Sequence, residues 1–253
     1  MAVAERMPDE PDEETRRLCR IRLLRTLPAD ECATLATRCA WRRYAADATI
    51  IARDGSEREF LFIVEGRARA VDLTERGREV VYAEIGPGGH VGELAAIDGG
   101  PRSADVVAVT DCLVAALPVT EFRALLLRHA AISLDLLEDV ARMVRMADLR
   151  ITELSTMGAV ERICRELLRR AVPHREEAEL AVHDLPTQET LAGLTGTTRE
   201  TVGKVMMQLA HAGLVRRRRR TLLLVDLDRL RQLAGLIAAD PLPVAANGRP
   251  SSD

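Results

Sequence analysis

Two stretches of this 253-residue chain carry residue types at spacings that can do chemistry. The first reads Gly92-Glu93-Leu94-Ala95-Ala96-Ile97-Asp98-Gly99-Gly100-Pro101-Arg102-Ser103-Ala104. It is a glycine-rich loop around a short helix, with free backbone N–H groups, a guanidinium and a hydroxyl close together. Those donors suit one phosphate. Glu93 adds a pair of acceptors suited to a sugar hydroxyl. Glu93 with Arg102 imitates a catalytic pair, but no nucleophile–base pair, metal motif or phosphate-binding P-loop accompanies them. No enzyme is expected and no catalytic residue is assigned.

The second stretch, Pro186 to Val215, reads as two short helices joined at Gly196, where a glycine can take the left-handed conformation. Ala192 is small where the second helix crosses. Val202 and Val205 turn inward toward Leu191 and Leu194. Thr197 and Glu200 have the T-x-x-E spacing of a capping box. Thr198, Arg199, Thr201, Lys204 and Gln208 then fall on the outward side. A guanidinium can donate two bonds to guanine, and a carboxylate can accept from cytosine, so Arg199 and Glu200 are candidate base readers. Glu200 as a cap alone, and the pair as an ordinary helical hairpin, are the plainer alternatives. Beyond Gly213 come Leu214-Val215, five arginines (Arg216 to Arg220) and Thr221 to Val225, a two-stranded ribbon with a basic tip. Such a tip neutralises phosphates without choosing a sequence.

The elements that must position these groups follow from periodicity. Residues 15–40 read as helical with a break at Pro28. From about 45 to 120, short apolar runs such as Phe60-Leu61-Phe62-Ile63-Val64 alternate with glycines, the mark of a small antiparallel barrel or sandwich. Glu75-Arg76-Gly77-Arg78 reads as a hairpin tip. From about 119 helical period returns. Leu137, Val140, Val144, Ala147, Ile151 and Leu154 recur at alternating steps of three and four, which fits either a coiled-coil seam or one amphipathic helix on its own barrel. Residues 158–182 continue as helix. Domain boundaries are expected at 1–18 (acidic, flexible), 19–130, 131–157 (long helix), 158–239 and 240–253 (a Pro-, Ala- and Gly-rich tail).

Composition sets further bounds. Apolar residues make up 47% of the chain, enough for a core, and the formal net charge of −3 decides nothing about nucleic acid by itself. With no leader read at its start and no apolar run of about 18 residues, a soluble cytoplasmic protein without membrane contact is expected. Five cysteines (Cys19, Cys32, Cys39, Cys112 and Cys164) are spread without a CxxC pair. Buried reduced thiols are expected rather than a disulfide framework or a zinc site.

The segment Val91 to Ala108, with GELAAIDGGPRSA at its centre, closely resembles the phosphate-binding cassette of cyclic-nucleotide-binding domains. TTRETVGK (197–204) resembles the recognition helix of the CRP/FNR superfamily, and the order of parts agrees over about residues 20–235. The resemblance implies an α+β protein. An N-terminal cyclic-nucleotide-binding β-barrel of jelly-roll type is followed by a long dimerisation helix and a C-terminal winged helix-turn-helix. It implies a homodimeric transcription regulator, joined along the 132–157 helix and reading a palindromic site in double-stranded DNA; RNA polymerase is a candidate further partner. Carried over by position, Arg102 and Ser103 hold a cyclic phosphate and Glu93 accepts from the ribose 2′-hydroxyl. Gly92, Leu94 and Ala95 shape the backbone around it. Arg199, Glu200 and Lys204 read bases, and Thr187, Thr198, Arg216, Arg217 and Arg218 complete the DNA contacts. Lys204, the chain's only lysine, stands where relatives commonly have arginine, so the charge is kept and the fork is lost. The two hydroxyl residues that contact adenine in cyclic AMP receptor protein align with Ala147 and Asp148. Asp148 can accept from an exocyclic amine. Cyclic AMP is the favoured allosteric ligand, with cyclic GMP or a ligand-independent regulator as alternatives. Ligand near Asp148 would shift the seam from Val144 to Leu154 and move the recognition helices. Cys19, Cys32 and Cys39 are too loosely spaced for an iron–sulfur cluster. His90 is a haem ligand only in principle, so no metal, haem or cluster is expected.

Overall fold

The run Phe60-Leu61-Phe62-Ile63 does not alternate in polarity, so both faces of its strand must be covered. A computed structural model, which describes residues 13–55, 57–74, 79–174 and 180–236, shows what covers them. Helices α1 (Glu13–Leu18) and α2 (Ala29–Arg38), with a 3-10 turn at Arg22–Leu24 between them, come first. Strands β1 (Ala40–Tyr44), β2 (Thr49–Ile51), β3 (Glu59–Glu65), β4 (Ala68–Leu73), β5 (Glu79–Ile85) and β6 (His90–Val91) follow. Helix α3 (Glu93–Asp98), strands β7 (Asp105–Ala108) and β8 (Cys112–Pro118), and helices α4 (Val119–Arg128) and α5 (Ala130–Thr156) come next. The strands form two four-stranded sheets, ordered β1-β8-β3-β6 and β2-β7-β4-β5.

Among the described residues, chain contacts define two units, one from residues up to 71 together with 83–139, the other from residues of 72–82 together with those from 140 to 236. In the first unit Leu61 and Ile63 point between the sheets, onto Ile51, Val106, Val114 and Ala116. Phe60 and Phe62 point the other way, onto a helical layer made by Leu18, Leu24, Leu35, Phe122, Leu125 and Ile132. Phe60 stacks on Phe122 with ring centroids 3.7 Å apart. Strand β8 divides its side chains in the same way. Burying each such side chain is worth about 1.5–3 kcal/mol, which is why this continuous apolar run sits at the centre of its sheet.

The second unit holds the rest of α5, then α6 (Ala159–Arg169), β9 (Val172–Pro173), β10 (Leu180–Val182), α7 (Gln188–Thr195) and α8 (Arg199–His211). Strands β11 (Val215–Arg218) and β12 (Thr221–Leu224) and helix α9 (Leu227–Leu233) complete it. Its sheet is ordered β11-β12-β10-β9, and Ile163, Leu167, Leu191, Val202, Val205 and Leu222 share its core.

The structure corrects the sequence reading at several points. Helix stops at Arg169 rather than 182, because Pro173 cannot donate a helical hydrogen bond and Leu180–Val182 pairs with Leu222–Leu224. Strand pairing begins at Ala40, opposite Ala116, not near 45. Glu13–Leu18, assigned to a flexible start, is helical, with Leu18 buried in the helical layer. Residues 1–12, the hairpin tip Glu75 to Arg78 and the tail from Asp240 lie outside the described residues.

The cysteines differ as well. Cys19 and Cys32 form a disulfide, which the expectation of reduced thiols missed. The bond is set by how α1 packs on α2, which brings the two Cα atoms to 5.9 Å across a separation of 13 residues. Cys39, Cys112 and Cys164 are free and buried. Burial pushes the Cys39 thiol up to about 12 and the Cys164 thiol to about 11. Closing a loop of this size stabilises the folded chain by about 3 kcal/mol. Thiol titration in denaturant without reductant is therefore expected to count three reactive cysteines, and Cys19→Ser to lose about 2–3 kcal/mol in urea unfolding. Five titrating thiols would refute the bond.

Candidate functional site

The loop after β6 is built around one buried guanidinium. Arg102 is 9% exposed and its Nη2 donates to the carbonyls of Glu57 at 3.0 Å and Glu59 at 2.8 Å. Its Nη1 lies 3.5 Å from the Gly92 carbonyl. Gly92, at φ +89°, caps α3 in the left-handed region, and a Cβ there would lie 2.5 Å from Arg102 Nη1. Glycine is favoured first by its dihedral, and a Cβ would also press on the Glu59 carbonyl at 3.0 Å. Burial pulls the Arg102 guanidinium below its usual pKa, against the opposing pull of Glu59.

Glu93, the next residue, is 8% exposed, and its Oε2 has no hydrogen-bond partner among the described residues. Burial raises its pKa, only partly offset by its own backbone N–H and by Arg102. A buried acceptor without a donor is costly, and binding sites are where such costs are kept. Ser103 is exposed beside Arg102, Leu94 is half-buried and Ala95 is buried. Three contacts not foreseen from sequence hold the loop. Arg58 donates to the Gly99 carbonyl at 2.8 Å, Arg123 to Ile97 at 2.7 Å, and Asp98 accepts from Gly100 N at 2.7 Å. His90 stacks on Phe60 and lies 3.9 Å from Asp139, so it is a packed side chain.

In the second unit, α7 is capped at its start by Thr187, whose hydroxyl accepts from Thr190 N at 3.1 Å, and at its end by Gly196 with φ +63°. The cap of α8 is Thr198, which accepts from Thr201 N at 3.2 Å. The expected cap, Thr197, is instead buried, and its N–H closes the turn onto Ala192 O. The T-x-x-E spacing fits Thr197, but the cap falls on the adjacent Thr198, whose residue three further on is Thr201 and not Glu200. Arg199, Glu200, Lys204 and Gln208 are exposed along α8, while Val202, Val205 and Leu209 are buried. Glu200 is held below the usual carboxylate range by its own backbone N–H and the Thr198 hydroxyl, with Arg199 and Lys204 adding to this.

The ribbon lies against α8. Arg216, Arg217 and Arg218 pair with Leu223, Leu222 and Thr221, and all five arginines are exposed. Arg199 and Arg217 stand on the rim of a cleft of about 600 Å³ floored by Leu191, Val202 and Leu222. Sequence reasoning missed the group behind this surface. Arg162 donates to Thr195 O at 2.7 Å, to Gly196 O at 3.3 Å and to Met157 O, tying the end of α5 to the turn between α7 and α8. Arg169 bridges Glu153 at 2.7 Å and Glu166, all three nearly buried. Of the seam residues, Leu137, Val144, Ile151 and Leu154 are more than half exposed, Ala147 is exposed and Val140 is intermediate. Asp148 is exposed on α5.

Residues 41–129 match the cyclic nucleotide-binding domain family, and residues 161–233 match the Crp-like helix-turn-helix domain family. The chain is 30% identical over 189 residues to the CRP-like cAMP-activated global transcriptional regulator of Mycobacterium tuberculosis, covering 74% of this chain and 84% of that one. It is 34% identical over 154 residues to the cyclic AMP receptor protein of Thermus thermophilus, covering 61% and 69%. A crystal structure of a CRP-family transcriptional regulator from the same organism aligns with TM-score 0.60 and 28% identity, over 78% of this chain and 100% of that one. The fold and its two sites thus define a DNA-binding transcription regulator with a cyclic-nucleotide-binding domain, and not an enzyme. The chain belongs to the CRP/FNR superfamily. Among the described residues no helix is long and apolar enough to cross a membrane.

Because burial raises the Glu93 pKa, folding takes up a proton at this group. Its contribution to stability is complete below the ordinary carboxylate range and is lost as pH rises through the raised value. Glu93→Gln is expected to raise the thermal midpoint at neutral pH by a few degrees and to flatten its pH dependence. A midpoint lowered equally at pH 5 and pH 7 would mean that the carboxylate serves the fold.

Proposed function

We propose that this regulator is a homodimer whose affinity for a palindromic DNA site is set by a cyclic nucleotide, with cyclic AMP as the favoured ligand. One observation carries the nucleotide reading. Glu93 is buried with an acceptor left unused, beside an arginine that rests on borrowed backbone carbonyls. A ribose hydroxyl satisfies the first, and a cyclic phosphate is a stronger partner for the second than any neutral carbonyl. In this reading Arg102 and Ser103 hold the phosphate, Glu93 accepts from the 2′-hydroxyl, and Gly92, Leu94 and Ala95 keep the backbone close. The Mycobacterium relative is a cAMP-activated regulator and the Thermus relative a cyclic AMP receptor protein, which favours cyclic AMP over cyclic GMP. The place of Asp148 at the base rests on the resemblance alone.

The dimer reading is supported by the apolar stripe of α5. Leu137, Val144 and Ile151 stand seven residues apart, and each is more than half exposed in the single chain. Heptad spacing of this kind is covered by a second helix. A twofold dimer presents two copies of α8, hence a palindromic site. Arg199, Glu200 and Lys204 face bases, and Thr187, Thr198 and Arg216 to Arg218 face phosphates. The nucleotide acts by favouring one of two dimer states.

Two measurements test this. Calorimetry with cyclic AMP is expected to show binding by the wild-type protein and a loss of about 10–100-fold in Arg102→Leu. Equal affinity would remove Arg102 from the phosphate site. Gel shift on a palindromic probe, with and without cyclic AMP, is expected to show tighter binding with nucleotide and loss of binding in Arg199→Ala. DNA affinity indifferent to nucleotide would leave a ligand-independent regulator.

A further inference from the structure

The tip of the ribbon keeps an arginine in a conformation that arginine disfavours. Arg219 has φ +52°, in the left-handed region where glycine, asparagine or aspartate is the usual choice. The tip is not loose. Arg220 reaches Asp184 at 3.2 Å, and its carbonyl accepts from Leu185 N at 3.0 Å. Arg217 Nε donates to the Arg219 carbonyl at 3.3 Å. The backbone of the apex is therefore held in place. The Arg219 side chain is exposed, and its guanidinium has no partner among the described residues. A glycine here would relieve the backbone, and four further arginines would still supply charge to phosphates. Something more than charge is therefore asked of this side chain.

Resting on the reading of α8 and the ribbon as a DNA interface, we propose that Arg219 is a specificity residue that reads the width of the DNA minor groove flanking each half-site. It would favour narrow, A·T-rich flanks. The geometry restricts which residue can do this. The minor groove is about 6 Å wide, too narrow for two paired strands with their side chains. Only the apex can offer a single side chain to it. Arg216 to Arg218 lie along the paired strand opposite Leu223, Leu222 and Thr221, where their side chains alternate between the two faces of the ribbon and do not project from its end. A narrow A-tract groove concentrates negative potential and attracts an inserted cation. Guanidinium suits that place better than ammonium, because it is more weakly hydrated and loses less on entering.

The test uses the full-length protein with cyclic AMP and an operator enriched by the wild-type protein from a random-sequence pool. Two probes share its core and differ only in flanks, one A-tract and one G·C-rich. In fluorescence anisotropy at fixed salt, wild type is expected to prefer the A-tract probe by about fivefold or more. Arg219→Gly is expected to bind the two probes equally while keeping most of the affinity for the G·C-flanked one. Arg219→Lys should lie between. Arg218→Ala serves as the phosphate control and should weaken both probes by one factor. Glycine fits the backbone at 219, so the thermal midpoint of Arg219→Gly should not fall. The proposal is overturned if wild type ignores the flanks, or if Arg219→Gly weakens both probes equally. Enrichment of no operator at all would overturn instead the DNA reading on which it rests.

Discussion

A guanidinium carries five N–H donors and no acceptor, and it cannot shed its charge in a protein. To bury one, the fold must surround it with oxygens, and three buried or half-buried arginines organise this chain around that demand. Arg102 takes the carbonyls of Glu57 and Glu59, which ties the loop after β6 to β3. Arg162 takes carbonyls at Met157, Thr195 and Gly196. Arg169 takes two carboxylates, Glu153 from α5 and Glu166 from its own helix. In each case at least one acceptor comes from outside the arginine's own element, so satisfying the charge also ties that element to another segment. Only 2% of the residues are aromatic, and outside the Phe60–Phe62–Phe122 cluster the buried cores are filled by aliphatic side chains.

The three arginines are not equivalent. Arg169 has charged partners in a dry place, where removing one partner strands the others, so its arrangement is fixed. Arg102 has neutral partners that an anion can outbid. Beside it Glu93 stays under-satisfied, and burial is the largest cause of the rise in its pKa. A fold selected only for stability would place an apolar side chain at position 93. Under the proposed function this local violation of good packing would be relieved by the bound ligand, the kind of place where such violations survive.

The legible parts of the sequence are those whose determinants are local. The cassette lies within thirteen residues, and the helix-turn-helix within twenty-five or so. Gly196 offers a left-handed turn by type alone, and the structure places it there. Where determinants are long-range, the reading failed in a physically consistent way. Leu180 to Val182 has too few residues to reveal a strand, and it becomes one because β12 offers a partner. The Cys19–Cys32 bond depends on the packing of α1 on α2, which no spacing rule encodes. Arg162 reaches a turn 33 residues away and carries no local mark of doing so. The cap falls at Thr198, one residue beyond the expected position, because adjacent threonines offer the same chemistry and only the turn after Gly196 decides between them.

Net charge illustrates the same division. At −3 the chain as a whole repels DNA weakly, yet a phosphate within about one Debye length responds to the surface it faces and not to the sum. On that surface α8 places Arg199 and Lys204 outward, and the ribbon adds five more cations beside it. Glu200 is the single exposed acid in the first turn of α8, and its charge is retained by its own backbone N–H and Thr198. If α8 reads DNA as proposed, an acid there would lower non-specific attraction to phosphate while leaving an acceptor for a base amine. Such a pairing would weaken attraction to any DNA and strengthen preference for one DNA, the balance a regulator needs among many competing sites.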